Sequence, residues 1–318
     1  MGGCREMKYC FGVDIGGTTV KMGLFEVEGK VLDKWEIPTV TEDGGKAILP
    51  DVAASINAKM EEKGLSKDDV IGVGMGVPAP VRSDGYVQKS ANLGWLDKNV
   101  KTEMEELTGM EVAVGNDANV AALGEMWQGG GAGHKNMIMV TLGTGVGGGV
   151  IIDGKVVVGE NGAGGEIGHL TVNYEESEKT CGCGRMGCLE QYASATGIAR
   201  LAKEKLEKET RPTKLNPQYL SAKAVFDAVK AGDEVAEEIA VEFGKCLGYA
   251  LTNLAVVADP AVYVIGGGVS KAGEMLLPYI EKPYKERAFY ANKEVKFALA
   301  TLGNDAGICG AAKLIIDK

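Results

Sequence analysis

Asp14-Ile15-Gly16-Gly17-Thr18-Thr19-Val20-Lys21 and Thr141-Leu142-Gly143-Thr144-Gly145-Val146-Gly147-Gly148-Gly149 are the stretches that decide the fold. The first follows an apolar run at 9–13 and leads into a β-prone run at 22–27; the second follows 137–140 and leads into 150–152. Each then reaches a turn with the same tripeptide, Gly29-Lys30-Val31 and Gly154-Lys155-Val156. A glycine turn between two strands brings backbone N–H groups close to an anion, because no β-carbon blocks the approach. One such hairpin is readily just a tight turn. Two matched copies, both carrying threonines, point to a polyphosphate held from two sides.

The chain around these turns reads as a duplicated α/β unit. A strand, glycine turn and two further strands occupy 9–35, and 38–45 is a loop. Ile48, Val52, Ile56 and Met60 recur at helical spacing, predicting an amphipathic helix over 47–62 that stops at Gly64. Residues 70–77 form a buried strand stopped by Pro78-Ala79-Pro80, and Asp84-Gly85 is a turn signal. A short strand at 112–114 ends at Gly115-Asn116-Asp117, after which the pattern turns helical. The second hairpin covers 137–152, helices dominate from 193, and strands recur at 262–265 and 295–300. Gly266-Gly267-Gly268 and a helix are expected after the first of these, and a last helix over 305–316. Strands followed by a helix, twice over, suggest two domains. They are a small one of residues 1–116 with 303–318 and a large one of 117–302, with a ligand cleft between them.

Composition narrows the function classes. The length suits two ordinary domains, and a formal net charge of −10 speaks against a general nucleic-acid or membrane-surface binder. The first eight residues carry charge and no apolar core, so they do not read as a secretory signal. Gly2 lacks the Ser or Thr that myristoylation needs, since Glu6 stands there. The longest apolar stretch, 247–258, is broken by Thr252 and Asn253 and is too short for a bilayer. A cytoplasmic protein is expected. Of seven cysteines, three lie within 181–188, which suggests a metal site; Cys4, Cys10, Cys246 and Cys309 are scattered and read as packing residues.

Gly143-Thr144-Gly145-Val146-Gly147-Gly148 fits the dinucleotide pattern G-x-G-x-x-G, but that pattern requires a helix next. Here Val150-Ile151-Ile152 continues as strand, which removes a dinucleotide fold, and no P-loop motif is present. Asn116-Asp117 sits where a strand gives way to a helix. It serves equally as a helix cap or as a carboxylate that accepts the proton of an attacking hydroxyl. Glu166, His169 and Glu190 supply the fixed donors and acceptors that a sugar demands. His169 also stands twelve positions before Cys181, with Cys183 and Cys188 following. One imidazole and three thiolates make a closed tetrahedral Zn²⁺ shell of structural type, and Gly182, Gly184 and Gly187 let the knuckle fold tightly.

The first glycine turn resembles the phosphate signature of the sugar-kinase, Hsp70 and actin superfamily. Gly165-Glu166-Ile167-Gly168-His169 and Cys181-Gly182-Cys183-Gly184-Arg185-Met186-Gly187-Cys188-Leu189-Glu190 resemble the signature of the ROK family of repressors, open reading frames and kinases. Ala193-Ser194-Ala195-Thr196-Gly197 resembles its bacterial glucokinases. The resemblance covers 11–312. It implies a two-domain actin-like ATPase fold with duplicated βββαβα-type units, an ATP-dependent kinase acting on the 6-hydroxyl of glucose, Mg²⁺ and structural Zn²⁺, and a homodimer. Asp117 then matches the catalytic base. Asn116, Glu166, His169 and Glu190 match sugar contacts, with Asn92 a further candidate. Asp14, Gly16, Gly17, Thr18, Thr19, Lys21, Thr144 and Gly145 match the phosphate and Mg²⁺ region, and Gly267-Gly268 the adenosine side. His169, Cys181, Cys183 and Cys188 match the zinc ligands. Pro78-Ala79-Pro80 departs from the usual Pro-Gly-Pro and adds a methyl near the expected sugar pocket. Alternatives are a kinase for N-acetylmannosamine or another hexose, polyphosphate as donor, or a sugar-responsive repressor. Such repressors carry an added N-terminal DNA-binding domain, for which a first strand near Tyr9 leaves no room. Fructose is disfavoured, because the fructokinase pattern breaks the cysteine run.

Overall fold

A computed structural model describes residues 8–175 and 180–318, so the readings on Gly2, Cys4 and Glu6 lie outside the described residues. In chain order the elements are β1 (Tyr9–Ile15), β2 (Thr19–Glu26), β3 (Val31–Pro38), α1 (Glu42–Gly45), α2 (Ile48–Lys63), β4 (Val70–Val77), β5 (Tyr86–Ser90), β6 (Trp95–Asn99), α3 (Val100–Thr108), β7 (Val112–Asn116) and α4 (Asp117–Gln128). There follow β8 (Met137–Leu142), β9 (Val146–Ile152), β10 (Lys155–Val156), α5 (Glu190–Ala193), α6 (Ala195–Leu206), α7 (Ala222–Lys230) and α8 (Glu234–Ala258). The chain closes with β11 (Val262–Gly266), α9 (Leu277–Arg287), β12 (Lys296–Leu299) and α10 (Ala306–Ile316).

The two larger sheets repeat one order, β3-β2-β1-β4-β7 and β10-β9-β8-β11-β12. In each, a glycine-turn hairpin pairs antiparallel, β1 with β2 and β8 with β9, and the later strands add in parallel. Val146–Ile152 is a strand, which bears out the rejection of a dinucleotide site. The β9–β10 turn is Asp153-Gly154 with φ of 51° and 78°, as a tight twisted hairpin requires.

The chain forms two compact units, one of the residues up to Gly133 with Lys155–Gly165 and Asn304–Lys318, the other of His134–Gly154 and Glu166–Gly303. Each has its own hydrophobic core. The predicted division at 116/117 falls at the start of α4, and α4 lies in the first unit, packed along α10. Glycine makes this packing possible. A β-carbon on Gly310 would collide with the Val120 carbonyl, and one on Gly124 with the Ala306 carbonyl. The same holds beneath α10, where Gly12 and Gly74 of the sheet leave room for the Ile308 and Ala311 carbonyls.

Local predictions hold where the physical signal is strong. In α2 the Ile48, Val52, Ile56 and Met60 side chains are buried, and Gly64 closes the helix at φ 65°, donating to the Met60 and Glu61 carbonyls. After β11 the glycine run leads not straight into a helix but into 3-10 turns at Val269–Ala272 and Glu274–Leu276. Gly273, at φ 84°, separates them, and the α-helix starts only at Leu277, with Pro278 in its first turn.

Candidate active site

In the first unit β1 delivers Asp14 to the mouth of the first glycine turn. Asp14 lies opposite Lys21 on β2 and beside Gly76 on β4. A β-carbon on Gly307 would collide with its carboxyl, so the first turn of α10 sits directly on it. Burial pushes the Asp14 carboxyl up to about 6; the Asp117 charge adds to the rise and Lys21 opposes it. The turn itself closes through the Gly16 N–H donating to the Thr19 carbonyl at 3.0 Å. Thr39 braces it from outside: its N–H donates to the Thr18 carbonyl at 2.9 Å and its hydroxyl to the Gly16 carbonyl at 2.8 Å. Asn92, in the loop between β5 and β6, comes up beside Gly17.

Asn116 and Asp117 stand on either side of the start of α4. Asn116 is the cap, its Oδ1 accepting from the N–H groups of Ala118 at 3.0 Å and Asn119 at 3.1 Å. Its Nδ2 donates to the Ala79 carbonyl at 3.1 Å, fixing the Pro78-Ala79-Pro80 turn to the head of α4. Asp117 is the first residue of the helix, where the helix dipole favours a carboxylate, and its Oδ1 accepts from the Ala118 N–H at 2.8 Å. Ala79 is buried and has no positive φ, so the methyl it adds is conformationally tolerated. Asn119, one helical step on, donates to the Gly164 carbonyl at 3.3 Å and holds the 159–165 loop to α4. No local pattern announces Asn119 or Thr39, since both partners are distant in sequence.

In the second unit the other glycine turn closes likewise, Gly143 N–H to Gly145 carbonyl at 3.0 Å. Gly267, at φ 82°, lies against Leu142 so closely that no β-carbon would fit, which brings Gly267-Gly268 to this turn. Glu190, the first residue of α5, reaches the same turn: its Oε2 accepts from the Val146 N–H at 3.1 Å. Glu166 leads into the 3-10 turn Ile167–His169 and accepts, through its carbonyl, from the His169 N–H at 3.1 Å.

The His169, Cys181, Cys183 and Cys188 donor atoms all lie within 4.8 Å of one another. Cys183 Sγ and Cys188 Sγ are 3.7 Å apart, and Cys181 Sγ is 3.7 Å from His169 Nδ1. A tetrahedral ion with metal–sulfur bonds of about 2.3 Å sets its sulfurs about 3.8 Å apart, whereas a disulfide needs about 2.05 Å. The spacing therefore fits a closed four-ligand metal shell and not a disulfide. A backbone bond at Arg185 lowers the Cys183 thiol, while burial pushes Cys188 up to about 12.

The ROK family matches residues 10–318. The chain is 45% identical, over 97% of its length and 95% of the relative's, to a glucokinase of Halalkalibacterium halodurans. Among solved structures it is similar to a ROK hexokinase from Thermus thermophilus, with a TM-score of 0.81 and 33% identity over 96% and 97% of the two chains. It is also similar to a ROK family glucokinase from Streptomyces griseus in complex with glucose and AMPPNP, with a TM-score of 0.73 and 33% identity over 96% and 98%. The repeated sheet order is that of the actin-like ATPase fold of ROK sugar kinases. With the glycine turns, the cysteine knuckle and a family match over nearly its whole length, the chain belongs to the ROK family.

Proposed function

We propose that this protein is a glucokinase, transferring the γ-phosphoryl group of ATP to the 6-hydroxyl of glucose to give glucose 6-phosphate and ADP. The observation that carries the reading is Asp117, a carboxylate on the first turn of α4, held in place by the Asn116 cap in a chain so similar to glucokinases. Asp117 orients the sugar hydroxyl and takes its proton as the phosphoryl group arrives. A carboxylate is a weak base, so orientation is its main contribution until the transition state. Asn116 has spent both Oδ1 positions on the cap, which leaves an amide N–H for the sugar. Asn92, Glu166, His169 and Glu190 supply further sugar contacts.

The amides of Gly16, Gly17, Thr18 and Thr19, with Lys21, and those of Thr144 and Gly145 receive the phosphates, and Gly267-Gly268 the adenosine side. Asp14 would hold Mg²⁺, which when bound neutralises charge on the transferring group. His169, Cys181, Cys183 and Cys188 would hold Zn²⁺ as a structural cross-link with no open position for chemistry.

The test is an ADP-coupled assay over a panel of hexoses. Glucose is expected to be turned over, and turnover of N-acetylmannosamine alone would reassign the substrate. Asp117→Asn is expected to lower kcat by about 10²–10⁴-fold, the usual contribution of general-base chemistry, with glucose affinity changed only a few-fold. A variant that keeps a tenth or more of kcat removes Asp117 from the base role.

A further inference from the structure

The two glycine turns are braced in the same way but from different sources. Thr39, which follows β3 directly, supplies an N–H and a hydroxyl to the first. The second takes its brace from the segment behind the cysteine knuckle. The Ala195 N–H donates to the Gly143 carbonyl at 2.8 Å and the Thr196 hydroxyl to the Thr144 carbonyl at 3.0 Å. Glu190, two residues after Cys188, adds the bond from the Val146 N–H at 3.1 Å. Its other oxygen, Oε1, lies 3.7 Å from Cys181 Sγ. A β-carbon on Gly145 would collide with Glu190 Oε2, so carboxylate and turn are in direct contact. The brace thus runs unbroken from the metal ligands to the turn within the second unit.

We propose that the knuckle positions the second glycine turn, through Glu190 and Thr196, so that metal occupancy sets the affinity for the polyphosphate of the nucleotide even when no sugar is bound. This rests on the reading of the 143–146 turn as a phosphate site. Thr196 is a positioning residue: it acts on nucleotide through the Thr144 carbonyl, and through nothing that touches glucose.

The experiment measures Mg-AMPPNP affinity by calorimetry without sugar. It compares metal-replete protein with protein stripped by a chelator and dialysed free of it, checking fold by circular dichroism. Stripping is expected to weaken nucleotide binding tenfold or more. In metal-replete protein Thr196→Val is expected to weaken it about fivefold, the loss of one ordinary hydrogen bond, and Thr196→Ser to restore it. Thr196→Val is decisive if the stripped protein unfolds, because the metal is then in place. Native affinity in Thr196→Val, with binding lost in Gly143→Val, whose side chain enters the turn without meeting Glu190, overturns the brace while keeping the phosphate site. Native affinity in Gly143→Val as well overturns the phosphate site itself, and the brace with it.

Discussion

Asp14 carries a charge where folding alone would choose none. Its carboxyl is raised to about 6 by burial and by Asp117, against an ordinary value of 3.8. The folded chain therefore binds this proton more tightly than the unfolded chain. The stability gained is complete below 3.8 and is lost as pH rises through about 6, so at neutral pH the ionised group opposes folding. Asp14→Asn removes that cost. It is expected to stabilise the protein at pH 7.5 by about 1–2 kcal/mol, less than the roughly 3 of the full shift because the group is partly open to solvent, and by little at pH 4. Urea unfolding at both pH values checks the sign. The same variant is expected to lose Mg-nucleotide binding, and wild-type affinity to fall as pH drops below about 6 and the carboxyl takes up its proton. A destabilised group kept at a binding site is the common trade between stability and activity. Asp14, Asn116 and Asp117 were legible in the sequence because a glycine turn and a helix cap are local signals. The bond from Val146 to Glu190 joins positions 44 apart, and no periodicity or spacing could carry it.

The elements divide along the same line. β1, β4 and α10 could be read because they are buried runs or strongly patterned helices. The β5–β6 hairpin carries exposed Lys89 and Asp97 and half-buried Lys98, with Asp97 at φ 47°, and gives no alternating apolar face to read. α9 carries Pro283 in its interior, which argues locally against the helix that packing on α8 maintains. The glycines of α4 and α10 were visible in the sequence, but their purpose belongs to the contact between the two helices. In an exposed helix Gly→Ala gains about 1 kcal/mol. At Gly310 the sign reverses, since the methyl would enter the Val120 carbonyl and the backbone cannot step aside as a side chain would. Gly310→Ala is expected to destabilise by about 1–3 kcal/mol, the range of overpacked cores, and to lower activity by moving Asp117 with its helix. A stabilised Gly310→Ala, measured by urea unfolding, would show that α4 and α10 are not in register as described.

For the molecule as a whole, the duplication was readable because both hairpins repeat the same strand, turn, strand and tripeptide order. The sheets confirm it strand for strand in their matching order. Net charge was equally readable, and it sets a condition on the proposed reaction. The chain carries a formal charge of −10, yet its proposed donor is a polyanion and its proposed acceptor is neutral. At low ionic strength the field of the whole protein repels MgATP and leaves glucose unaffected. Local donors, the turn amides and Lys21, act within a few ångströms and survive screening, whereas the long-range repulsion does not. Raising salt from about 10 to about 150 mM shortens the Debye length from roughly 30 to roughly 8 Å. kcat/KM for MgATP, at fixed free Mg²⁺, is then expected to rise, up to a few-fold, while kcat/KM for glucose at saturating nucleotide stays level. Glucose is the internal control, since a general effect of salt on the enzyme would move both constants together. A fall for MgATP alone would mean that a local positive field around the glycine turns outweighs the charge of the molecule, and that the net charge has no bearing on how the donor arrives.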